Sequence, residues 1–338
     1  MDLVIFRDWP SSVVSERRAV ELTQESNWTI GKCLTWTTQY FTQKRLDNPR
    51  LEAEILMGKA LGQTRVQLYM NLEQPLQALE LARYRGLIKQ RAEGVPTAYL
   101  VGEKEFMSLT FEVNRQVLIP RPDTEVLVET SLELIGGRQN EELVVVDVGT
   151  GSGNIAVTLA RYWPKARVIG IDLSEQALEV AQRNAGRHEV ADRVTFYEGD
   201  LLSPLEELKL KGKVDLIAAN LPYIPSNELP HLMREVLQEP ISALDGGRDG
   251  LMYYRRLLPQ ALDYLKPGGY LIIEIGLDQG KATQKLFKEQ PWDRVQVKLD
   301  YGGRDRVVCA CSAKPPALPN LQRLKVERYR RAREKPTS

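Results

Sequence analysis

The sequence predicts an α/β protein with a mostly parallel sheet and an antiparallel edge hairpin, preceded by a small helical bundle and a β-hairpin linker. From about residue 124 onward, strand-like segments alternate with helical patterns. These strand segments are nearly uninterrupted apolar runs rich in β-branched residues, which is typical of a parallel sheet covered on both faces. The last two segments, 295–299 and 307–310, are separated by a turn containing Gly302 and Gly303. We therefore expect them to form the antiparallel pair.

The N-terminal part of the chain has helical periodicity. Asn48 is expected to cap a helix that begins at Pro49, because proline is favoured at the first helical position. A second long helix is expected over about 77–91. Its predicted buried side consists of Leu79, Ala82, Leu87 and Ala92. Alternating apolar residues between Thr97 and Ile119 then predict a hairpin.

These patterns divide the chain into five parts. They are an N-terminal extension without periodicity (1–27), a helical bundle (28–95), a β-hairpin linker (96–122), an α/β domain (123–314) and a basic tail (315–338). The extension is expected to be poorly ordered. Within the tail, residues 321–335 carry seven basic and two acidic side chains. We expect a solvated helix there, and the alternative is a weak contact with ribosomal or other RNA.

Composition excludes several classes of protein. The chain has 338 residues and a net charge of +1, so charge alone predicts no general affinity for nucleic acid or membranes. No apolar run approaches the roughly 20 residues that a membrane-spanning helix needs. Three cysteines and two histidines form no pattern of metal ligands or disulfides. We expect a cytoplasmic protein without a metal site.

A glycine-rich loop follows the first strand of the α/β part. Residues 144–148 lead into Gly149-Thr150-Gly151-Ser152-Gly153, and a helical segment follows. Such a loop lets a ligand approach the backbone closely, beside the unpaired N–H groups of the helix. A dinucleotide fingerprint would require a third glycine at position 154, where this chain has Asn154. Glycines at 149, 151 and 153 resemble instead the first motif of Rossmann-like methyltransferases, which bind S-adenosylmethionine.

Three acidic residues at strand ends are candidates for holding that cofactor. Asp147 precedes the glycine loop and suits an ammonium group. Asp172 ends the next strand, about 20 residues beyond the loop, where a carboxylate can accept hydrogen bonds from two ribose hydroxyls. Asp200 ends the third strand and can accept from the adenine amino group, while Leu201 packs against the ring.

The fourth strand leads into the loop Asn220-Leu221-Pro222-Tyr223. Pro222 restricts its own backbone and that of Leu221, which stiffens the loop. The Asn220 side-chain oxygen and the Leu221 carbonyl can accept the two N–H groups of a planar NH₂ acceptor, and Tyr223 can stack on it. Alignment and electrostatics then carry most of the rate, because the proton can leave after attack.

From about residue 28 to 314 the chain resembles the HemK or PrmC family of peptide chain release factor glutamine methyltransferases. The resemblance rests on both loops and on three further stretches: residues 118–125 (LIPRPDTE), Glu239-Pro240 with 244–251 (LDGGRDGL), and 265–269 (LKPGG). It implies a class I methyltransferase sheet and transfer of a methyl group to the glutamine of the Gly-Gly-Gln motif in class 1 release factors. It also implies that the helical bundle recognises the release factor.

Carried over by resemblance, the glycine loop, Asp172, Leu201 and Asn220 line the cofactor, and residues 220–223 hold the glutamine amide. Leu221 departs from the family, which usually has proline there. Asn-Leu-Pro-Tyr is typical of ribosomal RNA adenine dimethyltransferases. Methylation of an adenine amino group or of a ribosomal-protein glutamine is therefore the alternative, and a nonenzymatic binding module or a nicotinamide dehydrogenase is more remote.

Overall fold

The computed structural model describes residues 28–138 and 140–312. The predictions for residues 1–27 and for the basic tail at 315–338 lie outside these residues. The chain divides into two compact units between Val101 and Gly102. Across the two described ranges, none of the helices combines the length and the apolar character needed to span a membrane.

The first unit is the predicted helical bundle. Its helices are α1 (Ile30–Gln43), α2 (Pro49–Leu61), α3 (Arg65–Met70), α4 (Ala78–Ala92) and α5 (Thr97–Val101). Apolar side chains from the first four helices form one core. Helix α2 ends at Gly62, whose positive φ of 66° lets its N–H bond back to the Gly58 carbonyl. The bundle is therefore stabilised mainly by packing of its own helices.

Two details predicted for the bundle are only partly correct. Asn48 occupies the predicted N-cap position before Pro49, but it adopts a left-handed conformation, with φ 48°, and its side chain makes no capping hydrogen bond. On the predicted buried side of α4, Leu87 and Ala92 pack against the core, whereas Leu79 is 62% exposed and Ala82 is exposed. The fully buried residues of α4 are Leu81, Tyr84, Ile88 and Arg91. A charged residue can lie among them because Arg91 is paired with Glu52 at 2.6 Å.

The predicted hairpin begins the second unit, but it is shorter than expected. Strands β1 (Glu103–Phe106) and β2 (Leu109–Glu112) pair antiparallel. Met107 and Ser108 form the turn, both with positive φ. The start of the predicted linker is helical, because residues 97–101 form α5.

The main sheet has seven strands. They are β3 (Val144–Val148), β4 (Arg167–Asp172), β5 (Val194–Glu198), β6 (Val214–Ala219), β7 (Leu265–Glu274), β8 (Trp292–Leu299) and β9 (Asp305–Ser312). Their order is β5-β4-β3-β6-β7-β9-β8. The first five are parallel, and β9 runs antiparallel between β7 and β8. The predicted parallel sheet with an antiparallel hairpin at its edge is confirmed.

Helices alternate with these strands and cover the sheet. They are α6 (Glu125–Ile135), α7 (Asn154–Tyr162), α8 (Glu175–Arg187), α9 (Pro204–Glu207), α10 (Met252–Tyr264) and α11 (Gly280–Lys288). Alternate residues of the central strands enter two different apolar cores: Val146 and Ile217 belong to one, Val145 and Leu216 to the other. This explains why the strands are apolar at nearly every position.

The strand order determines where a ligand can bind. Strands β3 and β6 are neighbours, with Val148 paired to Ala219 at their carboxyl ends. The chain continues from β3 to one side of the sheet, through β4 and β5, and returns to the other side through β6. A crevice opens beyond the strand ends at such a reversal. The glycine loop and the loop at 220–223 therefore emerge beside each other.

Candidate active site

A cavity of about 380 Å³ lies at this edge of the sheet. Its volume is in the range of small-molecule sites. The predicted residues on its wall are Gly149, Gly151, Asp172, Asp200, Leu201, Asn220, Leu221 and Pro222. The structure thus brings together residues from the ends of four parallel strands. Asp147, Thr150, Ser152, Gly153 and Tyr223 do not line the cavity.

The glycine loop approaches both the cavity and the neighbouring loop. Gly149 has a φ of 73°, and a Cβ atom there would lie 3.0 Å from Cδ2 of Leu221 and 3.5 Å from the Asn220 carbonyl oxygen. Gly151 also has a positive φ, of 52°, and a Cβ atom on it would meet nothing within 4 Å. Because Gly151 lines the cavity, that open space is available to a ligand against the bare backbone.

Asp147 lies beneath the loop and is fully buried. Its Oδ2 accepts hydrogen bonds from Thr150 Oγ1 at 2.6 Å and from Ala156 N–H at 3.1 Å, so the carboxyl group joins the loop to α7. Burial raises its pKa to about 7, with the two hydrogen bonds acting against this increase. The predicted contact with an ammonium group stays a prediction, since the carboxyl group holds the loop from within the core.

Asp172 faces the cavity from the end of β4. Its Oδ2 accepts from Gly151 N–H at 2.8 Å, and its Oδ1 accepts from Ser174 N–H at 3.0 Å. Burial raises its pKa, opposed by these backbone hydrogen bonds and one from Leu173. Ser174 caps α8 through its own side chain, which accepts from Ala177 N–H, so Asp172 is not needed as the cap. Each oxygen retains acceptor capacity for a ligand hydroxyl.

Asp200 and Leu201 form a further part of the wall. Oδ2 of Asp200 pairs with Arg256, whereas its Oδ1 is buried without a hydrogen-bond partner among the described residues. A buried acceptor without a partner is costly, so this oxygen suits a ligand donor such as an aromatic amino group. Leu201 is 4% exposed and supplies apolar surface beside it.

The loop after β6 is held by residues distant in sequence. The Asn220 Nδ2 donates to Thr124 Oγ1 at 3.1 Å. The Tyr254 hydroxyl lies 3.2 Å from the Leu221 carbonyl oxygen, and Gln279 Nε2 donates to the Tyr223 carbonyl at 2.8 Å. The single Tyr254 hydrogen goes to the Glu274 carbonyl oxygen at 2.5 Å, so the acceptor loop is fixed by Gln279 at the Tyr223 carbonyl, and the Leu221 carbonyl oxygen retains its capacity to accept.

Tyr223 is not among the residues that line the cavity. Its hydroxyl donates to Glu274 Oε1 at 3.2 Å. Burial raises the pKa of Tyr223, and the neighbouring Glu274 carboxylate adds to the effect. The tyrosine therefore stays a neutral hydrogen-bond donor. Its predicted stacking on the acceptor stays a prediction.

Several cavity residues were not foreseen from the sequence. They include Gln116, Val117 and Leu118 on one side and Pro240, Ser242 and Ala243 on another. Glu239 joins these two segments: it is 4% exposed, accepts from Ile119 N–H at 3.0 Å and pairs with Arg121. Leu118 and Pro240 belong to stretches shared with the release factor enzymes, which was the available signal for them. The other four residues carried no such signal, and neither segment follows a strand of the main sheet.

A doubly wound sheet with a glycine loop, a strand-end carboxylate and an Asn-x-Pro-Tyr loop around one cavity defines a class I methyltransferase. Two family models match the chain: the PrmC N-terminal domain over residues 32–102 and a methyltransferase domain over residues 139–311. The helical bundle and the α/β part thus each match a known domain, in that order along the chain.

The chain belongs to the release factor glutamine methyltransferase family. It is 45% identical to the release factor glutamine methyltransferase of Geobacter sulfurreducens over 83% of this chain and 96% of that protein. It is 49% identical to the one from Moorella thermoacetica over 78% of this chain and 92% of that protein. A solved release factor-specific protein-(glutamine-N5) methyltransferase from Alicyclobacillus acidocaldarius aligns with 30% identity and a TM-score of 0.36, over 60% of this chain and 99% of that one.

Proposed function

We propose that this protein transfers a methyl group from S-adenosylmethionine to the side-chain amide nitrogen (N5) of the glutamine in the Gly-Gly-Gln motif of class 1 release factors. The observation that carries the proposal is the juxtaposition of the glycine loop and Asn220 on one cavity. The family relationship supplies the substrate, since relatives that match over more than nine-tenths of their own length are named for it.

The cavity residues fit the methyl donor. Asp172 offers carboxylate oxygens for the ribose hydroxyls, and the unpartnered Oδ1 of Asp200 suits the adenine amino group. Leu201 supplies an apolar surface for the ring, and the bare backbone at Gly149 and Gly151 leaves room for the rest of the donor. When bound, S-adenosylmethionine supplies an electrophilic methyl group on a sulfonium centre.

The acceptor is a weak nucleophile, because the lone pair of an amide nitrogen is delocalised into its carbonyl group. Asn220 Oδ1 and the Leu221 carbonyl would accept the two N–H groups of the glutamine, which holds the nitrogen in line and increases its electron density as it attacks. As the new N–C bond forms, the bond between the methyl carbon and the donor sulfur breaks, and the methylated amide nitrogen then loses its surplus proton to solvent, so no side chain has to act as a strong base. Positioning of this kind contributes several kcal/mol, on the order of 7–11 kcal/mol in favourable cases.

The rest of the proposal concerns the partner. We assign recognition of the release factor to the helical bundle, which matches the PrmC N-terminal domain.

A separate hypothesis is that the basic tail binds ribosomal RNA weakly. The residues of the tail lie outside those described, and an RNA-binding assay with and without residues 315–338 would test this hypothesis. A cytoplasmic location goes with the proposed substrate.

The proposal is tested by incubating the protein with methyl-labelled S-adenosylmethionine and purified release factor, ribosomal protein or ribosomal RNA in separate reactions. We expect label in the release factor alone, and mass spectrometry should place it on the glutamine of the Gly-Gly-Gln motif. Label only in RNA would overturn the proposal and favour the adenine enzymes that Leu221 resembles.

Asn220→Ala tests the acceptor role. Without the side-chain oxygen, transfer should fall by about 100-fold or more, since removal of one positioned hydrogen-bonding group commonly costs about 10²–10³ in rate. Donor binding, measured by calorimetry, should stay close to that of the unmodified protein. Asn140→Ala, at an exposed loop position, is the matched control and should leave transfer unchanged.

A further inference from the structure

We propose that Gln279 and Gly250 are positioning residues for the methyl transfer: they hold the Tyr223 carbonyl group, and through it the acceptor loop (residues 220–223), in place beside the cavity. The inference rests on the proposed function, because the position of this loop affects the rate only if the loop presents the acceptor. Neither residue lines the cavity, so both act through the backbone of Tyr223.

The Gln279 carboxamide joins two separate segments of backbone. Its Nε2 donates to the Tyr223 carbonyl oxygen at 2.8 Å, and its Oε1 accepts from Gly276 N–H at 2.9 Å. The Gln279 N–H donates to the Gly276 carbonyl oxygen at 3.1 Å, so the side chain folds back over a turn between β7 and α11. Gln279 and Tyr223 are 56 positions apart in the chain, and the fold alone brings them together.

The orientation of this carboxamide follows from its two partners. The Gly276 N–H can only donate and the Tyr223 carbonyl oxygen can only accept. A reversed carboxamide would place two donors against each other at Gly276 and two oxygens against each other at Tyr223. Glutamine satisfies both partners, whereas an ionised glutamate of the same size satisfies only Gly276.

Glycines pack against the same peptide group. A Cβ atom on Gly250 would overlap both the Tyr223 carbonyl oxygen and Gln279 Nε2, and Gly250 has a φ of 73°. A Cβ atom on Gly246 would lie 2.7 Å from Cα of Tyr223 and 2.8 Å from the Pro222 carbonyl oxygen. Backbone atoms cannot approach a side chain so closely, so the hydrogen bond from Gln279 forms only because these positions lack one.

The chain immediately after the acceptor loop is paired with the same glycine-containing segment. Ile224 N–H donates to the Leu244 carbonyl oxygen at 3.0 Å, and Gly246 N–H donates to the Ile224 carbonyl oxygen at 2.8 Å. These hydrogen bonds form a short parallel bridge between Ile224 and Asp245. The acceptor loop is therefore held between β6 on one side and this bridge on the other.

A shift of the Tyr223 carbonyl group would be transmitted to the acceptor. Pro222 has a fixed φ and restricts the conformation of Leu221, so the two residues before Tyr223 can absorb little movement. The Leu221 carbonyl oxygen, which we propose accepts an N–H of the glutamine, would move with the loop. A misplacement of about 1 Å can cost about 100-fold in rate.

Gln279→Glu tests the donor without changing the size of the side chain. It retains an oxygen for Gly276 N–H but places the other oxygen against the Tyr223 carbonyl. We expect kcat for release factor methylation to fall about 10- to 100-fold. The KM for the release factor and the Kd for S-adenosylmethionine should change little, because Gln279 does not line the cavity. Gln284→Glu, the same substitution within α11, is the matched control and should leave kcat unchanged.

The Tyr223 carbonyl group can be observed directly. Tyr223-Ile224 is the only Tyr-Ile pair in the sequence. Protein labelled with ¹³C at the tyrosine carbonyl and with ¹⁵N in isoleucine therefore gives one NMR signal from a bonded ¹³C–¹⁵N pair. This signal should move in Gln279→Glu and stay in place in Gln284→Glu. A role confined to stability would lower Tm and leave both this signal and kcat of the folded enzyme unchanged.

Gly250→Ala tests the packing. The added methyl group should displace the Tyr223 carbonyl, which lowers kcat and moves the same NMR signal. Gly212→Ala is its control, because Gly212 has a φ of 65° and a Cβ atom there would meet nothing within 4 Å. If Gly250→Ala does not fold, Gln279→Glu decides the question.

Two outcomes would overturn the inference: an unchanged kcat in folded Gln279→Glu, or a reduced kcat with the Tyr223 carbonyl signal in its original place. If the unmodified protein methylated no release factor, the proposed function would fail instead. The NMR signal would then still show whether Gln279 holds Tyr223, so the two failures are distinguishable.

Discussion

Asp147 and Glu274 lie in or at the end of buried strands, and each has its pKa raised to about 7 by burial. For such a group the folded protein holds its proton more tightly than the unfolded chain does. As the pH rises from about 4 toward 7, the carboxyl group ionises first in the unfolded chain, which lowers the free energy of the unfolded chain relative to that of the folded protein. The contribution of Asp147 to the free energy of unfolding therefore falls across this window and is constant above it. A tenfold difference in acidity between the folded and unfolded states corresponds to about 1.4 kcal/mol.

Asp147→Asn should remove this dependence. Both of its hydrogen bonds go to Oδ2, so the single amide oxygen of asparagine can accept both. We expect the variant to fold and to unfold in urea with a free energy that changes less between about pH 4.5 and 7.5, measured against the unmodified protein. An identical pH dependence in the two proteins would contradict the assignment of the raised pKa to Asp147.

Sequence analysis identified many of the polar residues at strand ends but missed Thr124 and Glu274, which form hydrogen bonds with Asn220 and Tyr223 respectively. Asp172 and Asn220 follow strands directly, and a polar residue ending an apolar run is a recognisable signal. Glu274 ends such a run as well, after Leu271-Ile272-Ile273, and the same signal could have found it. Thr124 could not be assigned a role, because its partner Asn220 meets it only through the tertiary fold.

Among the elements, the strands were predicted more accurately than the helical faces. The sequence pattern predicts strands over 167–172, 194–198 and 214–220, and β4, β5 and β6 begin and end within one residue of these bounds. The buried face of α4 was assigned partly to the wrong residues, although Leu81, Tyr84 and Ile88 recur at spacings of three and four residues and could have identified it. The burial of Arg91 leaves no local pattern in the sequence, because it depends on Glu52 in another helix.

The segment 116–124 is held at the cavity by Glu239. Replacing Glu239 with alanine leaves Ile119 N–H without an acceptor and Arg121 without its partner. We expect a loss of about 2 kcal/mol in the free energy of unfolding and weaker donor binding. Gln238→Ala, which removes an exposed hydrogen bond from Arg115, the residue just before that segment, should have little effect on either. Unchanged donor affinity in Glu239→Ala would contradict this role.

The two loops of the site should be sterically coupled at Gly149. Gly149→Ala adds a Cβ atom 3.0 Å from Leu221 and forces alanine into a positive φ, so donor affinity and transfer should both fall. Gly303→Ala is the control: its φ is 78° with nothing within 4 Å, so it should lose only the stability that the strained backbone costs, about 1 kcal/mol. Adding Leu221→Ala to Gly149→Ala should relieve the steric part and recover some donor binding. Calorimetry with S-adenosylmethionine measures donor affinity in the single and the double variant.

At the scale of the whole molecule, every residue on the cavity wall belongs to the second unit. A fragment containing residues 102–338 should therefore bind S-adenosylmethionine with nearly the affinity of the full chain, once circular dichroism has shown that it is folded. If the bundle recognises the release factor, the same fragment should methylate that substrate far more slowly, mainly through a raised KM. Equal kcat/KM values for the fragment and the full chain would show that the bundle does not contribute to substrate recognition.

The position of β9 between β7 and β8 bears on how the chain is made. Strand β7 ends at residue 274, but the strand that pairs with its open edge begins only at residue 305, so the ribosome must release some thirty further residues before that edge is covered. Arg306, which stabilises the Glu274 charge, arrives in the same late segment. A nascent chain stalled before this point has an uncovered β7 edge and lacks Arg306 beside Glu274, so we expect a ribosome-bound chain to become active only after β9 has emerged.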